Sequence, residues 1–103
     1  MAQYDIYPSP GQRRAEIPYL LAIQNDHITS RTGACVVIPL RAHIPPVEII
    51  APWVDVPGYG QVVLSADEIF TIDASRLRDP VGSLSPEDRA KIRPALDKVI
   101  GDY

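Results

Sequence analysis

The chain has 103 residues, of which 46% are hydrophobic, and its formal net charge is −3. That length fits one domain spanning residues 1–103, and the apolar content excludes a disordered chain. The charge disfavours a protein that binds duplex DNA, because that affinity comes mainly from basic side chains placed on phosphates.

Most of the chain predicts a β structure. Six segments have the alternating or β-branched apolar pattern of a strand: residues 2–7, 18–24, 34–38, 48–56, 61–64 and 69–72. Pro52 restricts its segment to a sheet edge or a bulge, Pro57-Gly58 fits a type II turn, and the polar residues 25–33 predict a loop. Five to six short antiparallel strands joined by short turns predict a small barrel or sandwich.

The end of the chain predicts a helix. Ser85 has the character of an N-cap, and from Ile92 the apolar residues recur at offsets of 0, 3, 4, 7 and 8. Pro94 interrupts this pattern, since it would leave the Ala90 carbonyl unpaired at a cost of about 3 kcal/mol. We expect one helix kinked near residues 90–94; a loop followed by a short helix from Pro94 is the alternative.

The residues that most often carry chemistry are few. His27 and His43 are predicted to be surface residues, Cys35 lies in an apolar run and is predicted to be an inert core residue, and no spacing indicates a metal site. A single cysteine cannot form an internal disulfide, and the first residues lack the pattern of a signal peptide. No apolar run is long enough to span a membrane, so we expect a cytoplasmic protein.

Four arginines fall in predicted loops or at strand ends: Arg13, Arg14, Arg31 and Arg41. Two interpretations remain open for them. They are solvated loop residues, or they form a phosphate-binding cluster, since a guanidinium group binds phosphate through two parallel hydrogen bonds.

Three segments of the N-terminal part resemble the CcdB family of toxins from bacterial toxin–antitoxin modules. They are Tyr4-Asp5-Ile6-Tyr7, Pro18-Tyr19-Leu20-Leu21-Ala22-Ile23-Gln24-Asn25-Asp26 and Val37-Ile38-Pro39-Leu40. Two C-terminal segments fit the same family and also resemble the related MazF ribonucleases: Val81-Gly82-Ser83-Leu84-Ser85 and Ala95-Leu96-Asp97. The resemblance covers essentially the whole chain. It implies an SH3-like barrel with a C-terminal helix, a homodimer and neutralisation by a cognate antitoxin.

The resemblance also implies a target and a way of acting on it. The dimer would bind the A subunit of DNA gyrase and trap the cleaved-DNA complex, with no catalytic residue, no cofactor and no enzymatic activity of its own. The implied gyrase contacts lie at the end of the helix and in one earlier segment: Ile100, Gly101, Tyr103, Asp26, His27 and Ile28. For the antitoxin's acidic segment, the candidate contacts are Pro8, Arg13 and Arg14 in the loop at residues 8–16.

Two alternatives remain. One is a MazF-like endoribonuclease, in which Arg14 would stabilise attack by the 2′-hydroxyl of RNA. The residues after the third strand, Arg41-Ala42, lack the hydroxyl group that this chemistry calls for there, and an acidic surface suits RNA poorly. The other is a non-toxic homologue that retains only its affinity for an antitoxin.

Overall fold

A computed structural model describes residues 2–101 of the chain. These residues form one antiparallel sheet, curled into a nearly closed barrel, and a C-terminal helix. The strands are β1 (Asp5–Pro8), β2 (Tyr19–Ala22), β3 (Ala34–Arg41), β4 (Trp53–Val56), β5 (Gly60–Leu64), β6 (Phe70–Asp73) and β7 (Gly82–Ser83). The helices are α1 (Asp26–Thr32), α2 (Pro86–Arg89) and α3 (Ile92–Ile100). The predicted fold class, a small SH3-like barrel with a C-terminal helix, is confirmed.

β3 is the strand around which the sheet is arranged. The strand order is β4-β5-β3-β2-β1-β7, and β6 also pairs with β3. One edge of β3 pairs with β2. On the other edge, the first half of β3 pairs with β6, where Cys35 lies opposite Ile72. The end of β3 pairs with β5, where Leu40 lies opposite Leu64. Pro39 has no N–H to donate and lies where the partner changes from β6 to β5.

The central strands are buried on both faces. Successive residues of a strand point to opposite sides of the sheet, so Ile6 and Tyr7 enter different clusters. The larger cluster lies between the sheet and α3 and includes Leu21, Ile38, Leu64 and Ala95. The smaller cluster includes Leu20, Val37, Ile72 and Cys35, which confirms that the cysteine is a core residue. This double burial explains why these strands are continuous apolar runs in the sequence.

The predicted loop at residues 25–33 is wrong, because that segment forms α1. The Asn25 side chain accepts a hydrogen bond from the His27 backbone N–H at 2.8 Å, which caps the first turn. Gly33, with a φ of 73°, ends the helix in the left-handed conformation that glycine tolerates best. Thr29 is the buried residue of the helix. Helices were predicted from an apolar residue at every third or fourth position, and α1, which is mostly exposed, lacks that pattern.

Several strand boundaries also differ from the prediction. Residues 2–4 are not part of β1, because Tyr4 has a φ of 73° and turns the chain. Of the segment 48–56, the strand includes Trp53–Val56, since Ile49 has a φ of 71° and lies in a turn. The sequence did not predict the two-residue β7, which pairs Gly82 with Ile6 on β1.

The C-terminal helix is divided within the range 90–94 where a kink was expected, at the start of that range rather than at Pro94. α2 ends at Arg89, Ala90 and Lys91 form the break, and α3 begins at Ile92. Pro94 is therefore the third residue of α3, in the first turn, where backbone N–H groups have no partner within the helix. The expected penalty is avoided because the Ala90 carbonyl lies outside α3. Among the described residues, no helix is long and apolar enough to cross a membrane.

The outer edge of β4 is covered by α2. The buried carboxylate of Asp88 accepts a hydrogen bond from the Asp55 backbone N–H at 2.9 Å. The same carboxylate forms an ion pair with Lys91 at 2.9 Å, and the Lys91 ammonium donates a hydrogen bond to the Trp53 carbonyl at 2.8 Å. Two backbone groups of an edge strand are thus satisfied by one ion pair, which blocks pairing with another strand there.

Candidate functional site

The loop between β1 and β2 is held by its own side chains. The Arg14 Nε donates a hydrogen bond to the Ser9 carbonyl at 2.8 Å, which fixes the root of the guanidinium group. Arg13 forms an ion pair with Glu16 at 2.7 Å, and this hydrogen bond and charge lower the pKa of the Glu16 carboxyl. The two neighbouring arginines therefore differ, because Arg13 has an acidic partner whereas Arg14 is held by a neutral carbonyl.

A groove of about 450 Å³ runs beside this loop. Its lining residues come from two segments that are far apart in sequence: Pro8, Pro10, Gly11, Arg14, Arg76, Arg78 and Asp79. The second segment follows β6. The Asp73 carboxylate accepts hydrogen bonds from the backbone N–H and hydroxyl of Ser75 at 3.1 and 3.0 Å, and these bonds lower the pKa of Asp73. Leu77 is buried between the two arginines of this segment and anchors it to the core.

The groove has a strongly positive lining. It contains three arginines and one carboxylate, that of Asp79. Among residues 2–101, neither Arg76 nor Arg78 makes a hydrogen bond or ion pair, and Arg14 uses only its Nε. The terminal nitrogens of all three side chains are therefore available to an anion.

A second cavity, of about 270 Å³, adjoins the groove. Pro10 and Arg76 line both. Its apolar surface comes from Leu20 and Ile72, which are buried, and from Phe70, whose residue is 41% exposed. The two depressions together form one continuous surface, cationic on one side of Arg76 and largely apolar on the other.

The structure groups the predicted antitoxin contacts but not the four arginines of the proposed phosphate cluster. Pro8 and Arg14 line the groove, and Arg13 lines the adjoining cavity. Arg31 lies on α1, and Arg41, at the end of β3, forms an ion pair with Glu68 at 2.9 Å. Arg14 is joined instead by residues that the sequence analysis missed. An arginine–leucine–arginine alternation at residues 76–78 was the available signal, with the leucine inward and both arginines outward.

The predicted gyrase contacts lie on separate elements. Ile100, at the end of α3, is 73% exposed, and Gly101 follows with a φ of −59°, which any residue adopts. Asp26, His27 and Ile28 are exposed on α1. α1 packs against β3, whereas α3 packs against α2 and the 3-10 turn at Ala66–Glu68. Tyr103 lies outside the described residues, and these contacts stay predictions.

The histidines are both exposed, as predicted. Across residues 2–101, no group of three His, Cys, Asp or Glu side chains is placed to hold a metal ion. The charged side chains that line the groove are three arginines and one carboxylate.

Comparisons with known proteins give a family from one source and a fold from another. The model of the family described as CcdB protein matches residues 3–101. A search of curated proteins found no match. Among solved structures, an endoribonuclease in complex with its cognate antitoxin from Mycobacterial species is 22% identical, with a TM-score of 0.78 over 98% of this chain and 95% of that chain. MazE-MazF from Deinococcus radiodurans is 16% identical, with a TM-score of 0.78 over 99% and 97% of the two chains. Mycobacterium tuberculosis toxin MazF-mt6 is 17% identical, with a TM-score of 0.78 over 96% and 99%.

These matches correct one prediction. No enzymatic activity was expected, with a ribonuclease kept as an alternative, yet the chain has the fold of solved structures described as endoribonucleases. The expectation came from the resemblance to toxins that bind gyrase. Cleavage of RNA needs no nucleophilic side chain, because the attacking group is the 2′-hydroxyl of RNA itself, so the lack of a nucleophile in the sequence does not count against it.

Proposed function

Because the chain belongs to the CcdB family of toxins from toxin–antitoxin modules, we propose that this toxin binds and cleaves RNA in its arginine-lined groove. The observation that carries the proposal is the set of three arginines, Arg14, Arg76 and Arg78, which line one groove and whose terminal nitrogens have no partners among the described residues. The endoribonucleases that share the fold support it further.

The chemistry requires charge stabilisation more than covalent catalysis. The 2′-oxygen attacks the phosphorus and the bond to the 5′-oxygen breaks, which leaves a 2′,3′-cyclic phosphate and a 5′-hydroxyl. Negative charge grows on the non-bridging oxygens, and Arg14 presents its two terminal nitrogens to them from a fixed root. The carboxylate of Asp79 takes the proton of the 2′-hydroxyl and returns it to the departing 5′-oxygen.

Cleavage of a mixed-sequence RNA by the purified protein tests this proposal. Arg14→Ala is expected to lower kcat by about 100-fold, the usual cost of one stabilising donor. Asp79→Asn removes the base but keeps the backbone, since asparagine tolerates the φ of 49° at this position. Arg31→Ala, an exposed arginine of α1, is the matched control and should cleave normally. Full activity in both groove variants would refute the assignment.

We propose that the cognate antitoxin silences the toxin by laying an acidic segment along the same groove, with contacts to Pro8, Arg13 and Arg14. Carboxylates would occupy the positions of the phosphates, so antitoxin and RNA would compete. Co-purification with the product of the neighbouring reading frame tests the partnership. Arg76→Ala and Arg78→Ala should each weaken the complex, and raised salt should weaken it further, because exposed charges are screened. We also expect a homodimer, which light scattering in solution checks.

A second candidate is suggested by the end of α3. Ile100 is 73% exposed, an unusual position for a large apolar side chain, and it fits an apolar pocket on a partner such as the gyrase A subunit. The other contacts that the resemblance implies are Gly101, Tyr103, Asp26, His27 and Ile28. Purified gyrase with supercoiled plasmid tests this reading. Ile100→Ser should abolish trapping of cleaved DNA, and Val81→Ser, at an exposed position of the barrel, should not.

A further inference from the structure

The cavity beside the groove has a lining that phosphate binding leaves unexplained. Leu20 and Ile72 are buried beneath it, and Phe70 at its edge is 41% exposed on β6. Gln12 and Arg13 supply polar groups at the same cavity. An exposed aromatic ring beside an apolar surface, with hydrogen-bonding groups nearby, is the arrangement on which unpaired bases stack.

We infer that this cavity binds one unpaired base of single-stranded RNA, stacked on Phe70, and so sets the base preference of the toxin. The inference rests on the proposed function, because the base belongs to the strand whose phosphates lie in the groove. Arg76 lines both depressions, so a base in the cavity places its own phosphate at the first cation of the groove.

Size and charge favour a base as the occupant. The volume of about 270 Å³ lies just below the range of about 300–1,000 Å³ for small-molecule sites, which suits one base better than an element of a folded partner. Arg13 is neutralised by Glu16, so the cavity is less cationic than the groove. A neutral base fits there, while the charged backbone passes Arg76, Arg14 and Arg78.

A fluorescent reporter can be placed in the cavity itself. Trp53, the chain's only tryptophan, is changed to phenylalanine, and Phe70→Trp then puts the single indole at the proposed stacking position. The probes are short unstructured oligoribonucleotides with 2′-O-methyl groups, which cannot be cleaved because the nucleophile is blocked. A second set carries one abasic site at each position in turn, which removes a base without changing the phosphate charge.

The expected result is quenching of the indole by the intact oligonucleotide. An abasic site at one position should remove the quenching and weaken binding about 5- to 150-fold, the equivalent of about 1–3 kcal/mol for one stacked base. Phe70→Ala should weaken the intact oligonucleotide by the same factor and make binding insensitive to the abasic site. Phe70→Tyr, which keeps a ring, should restore both properties.

Two outcomes would overturn the inference while leaving the proposed function in place. In one, RNA binds and is cleaved through Arg14, but neither the abasic site nor Phe70→Ala changes affinity or base preference. In the other, an aspartate-rich peptide of equal charge quenches the reporter and RNA does not, although RNA is still cleaved. If RNA neither binds nor is cleaved by the unmodified chain, the proposed function fails, and the inference fails with it.

Discussion

Replacement of Asp88 by alanine should destabilise the whole domain, although Asp88 lies far along the chain from the strand that it supports. The residue is 5% exposed, and its carboxylate holds the Asp55 N–H of β4 and the ammonium group of Lys91. Alanine leaves the N–H without an acceptor at the covered edge and leaves Lys91 without its counter-ion. The ion pair that protects the β4 edge is thereby lost.

The size of the effect follows from the two contacts. A backbone N–H bound to a charged acceptor contributes about 1.5–3 kcal/mol when its partner is removed. The side chain of Lys91 is 38% exposed, so its ion pair adds at most about 1 kcal/mol after solvent screening. We therefore expect Asp88→Ala to lower the free energy of unfolding by about 1.5–4 kcal/mol, a large part of the stability of a typical small domain.

Urea unfolding at neutral pH and fixed protein concentration measures this change. Glu87→Ala is the matched control, since it removes the same charge from an exposed position of α2 and should cost less than about 0.5 kcal/mol. Lys91→Met should cost less than Asp88→Ala, and the double variant should cost less than the sum, because the two residues share one contact. An Asp88→Ala variant that is no less stable than Glu87→Ala would refute the reasoning.

Three further predictions concern separate parts of the fold. Asn25→Ala removes the side-chain cap of α1 and should lower the free energy of unfolding by about 1 kcal/mol, measured in urea with the exposed Ser30→Ala as control. Burial, helped by nearby negative charge, raises the pKa of Tyr7 from 10.0 to about 12, so the folded chain keeps a proton that the unfolded chain loses. Stability should be full below pH 10 and fall as the pH rises through 12, and Tyr7→Phe should remove that part of the loss in a pH series of urea titrations. Gly82→Ala should lower the free energy of unfolding by about 1–3 kcal/mol, because the added Cβ would lie 3.0 Å from the Cγ of Pro57. Thermal or urea unfolding measures this change. An unchanged stability would show that Pro57 moves aside freely.

The barrel was predictable because local and global preferences agree in it. β3 is a β-branched run that is buried on both faces, and the short turns carry proline or glycine where the chain reverses. α1 was not predictable from periodicity, because an exposed helix has no apolar stripe. Its cap signals, Asn25 and Gly33, were present in the sequence, and they define the helix better than its hydrophobicity does.

The helix break illustrates a different limit. Whether Pro94 is costly depends on where α3 begins, and no side-chain cap marks that start at Lys91. Lys91 is instead directed to the Trp53 carbonyl and to Asp88, which are contacts across the fold. The start of α3 is thus set by tertiary contacts, which a local sequence pattern does not reveal. A proline that contradicted the sequence pattern becomes ordinary once the break moves to residues 90–91.

The residues of the candidate site were likewise only partly predictable from local sequence. Arg14 was identified from the loop that carries it, whereas Arg76 and Arg78 reach the groove only through the fold, some 60 residues later in the chain. Their segment is fixed by buried Leu77 and by the Asp73 cap, both of which require β6 to be in place. Local sequence thus indicated Arg14, whereas Arg76 and Arg78 could be placed in the groove only from the folded barrel.

Under the proposed function, net charge is a poor guide to the ligand for a physical reason. A charge of −3 is a sum over the whole chain, but at physiological ionic strength charges act over about 8 Å, so a phosphate in the groove interacts mainly with the three arginines around it. Three phosphate contacts on a single strand give a slope of about −2 for the logarithm of affinity against the logarithm of salt, which is modest among nucleic-acid-binding proteins. The acidic side chains on the rest of the surface keep the number of phosphate contacts small. Under the proposed function, such weak and local phosphate binding would make a single stacked base on Phe70 a large share of the affinity. It would also leave the groove open to displacement by an antitoxin segment that presents several carboxylates at once.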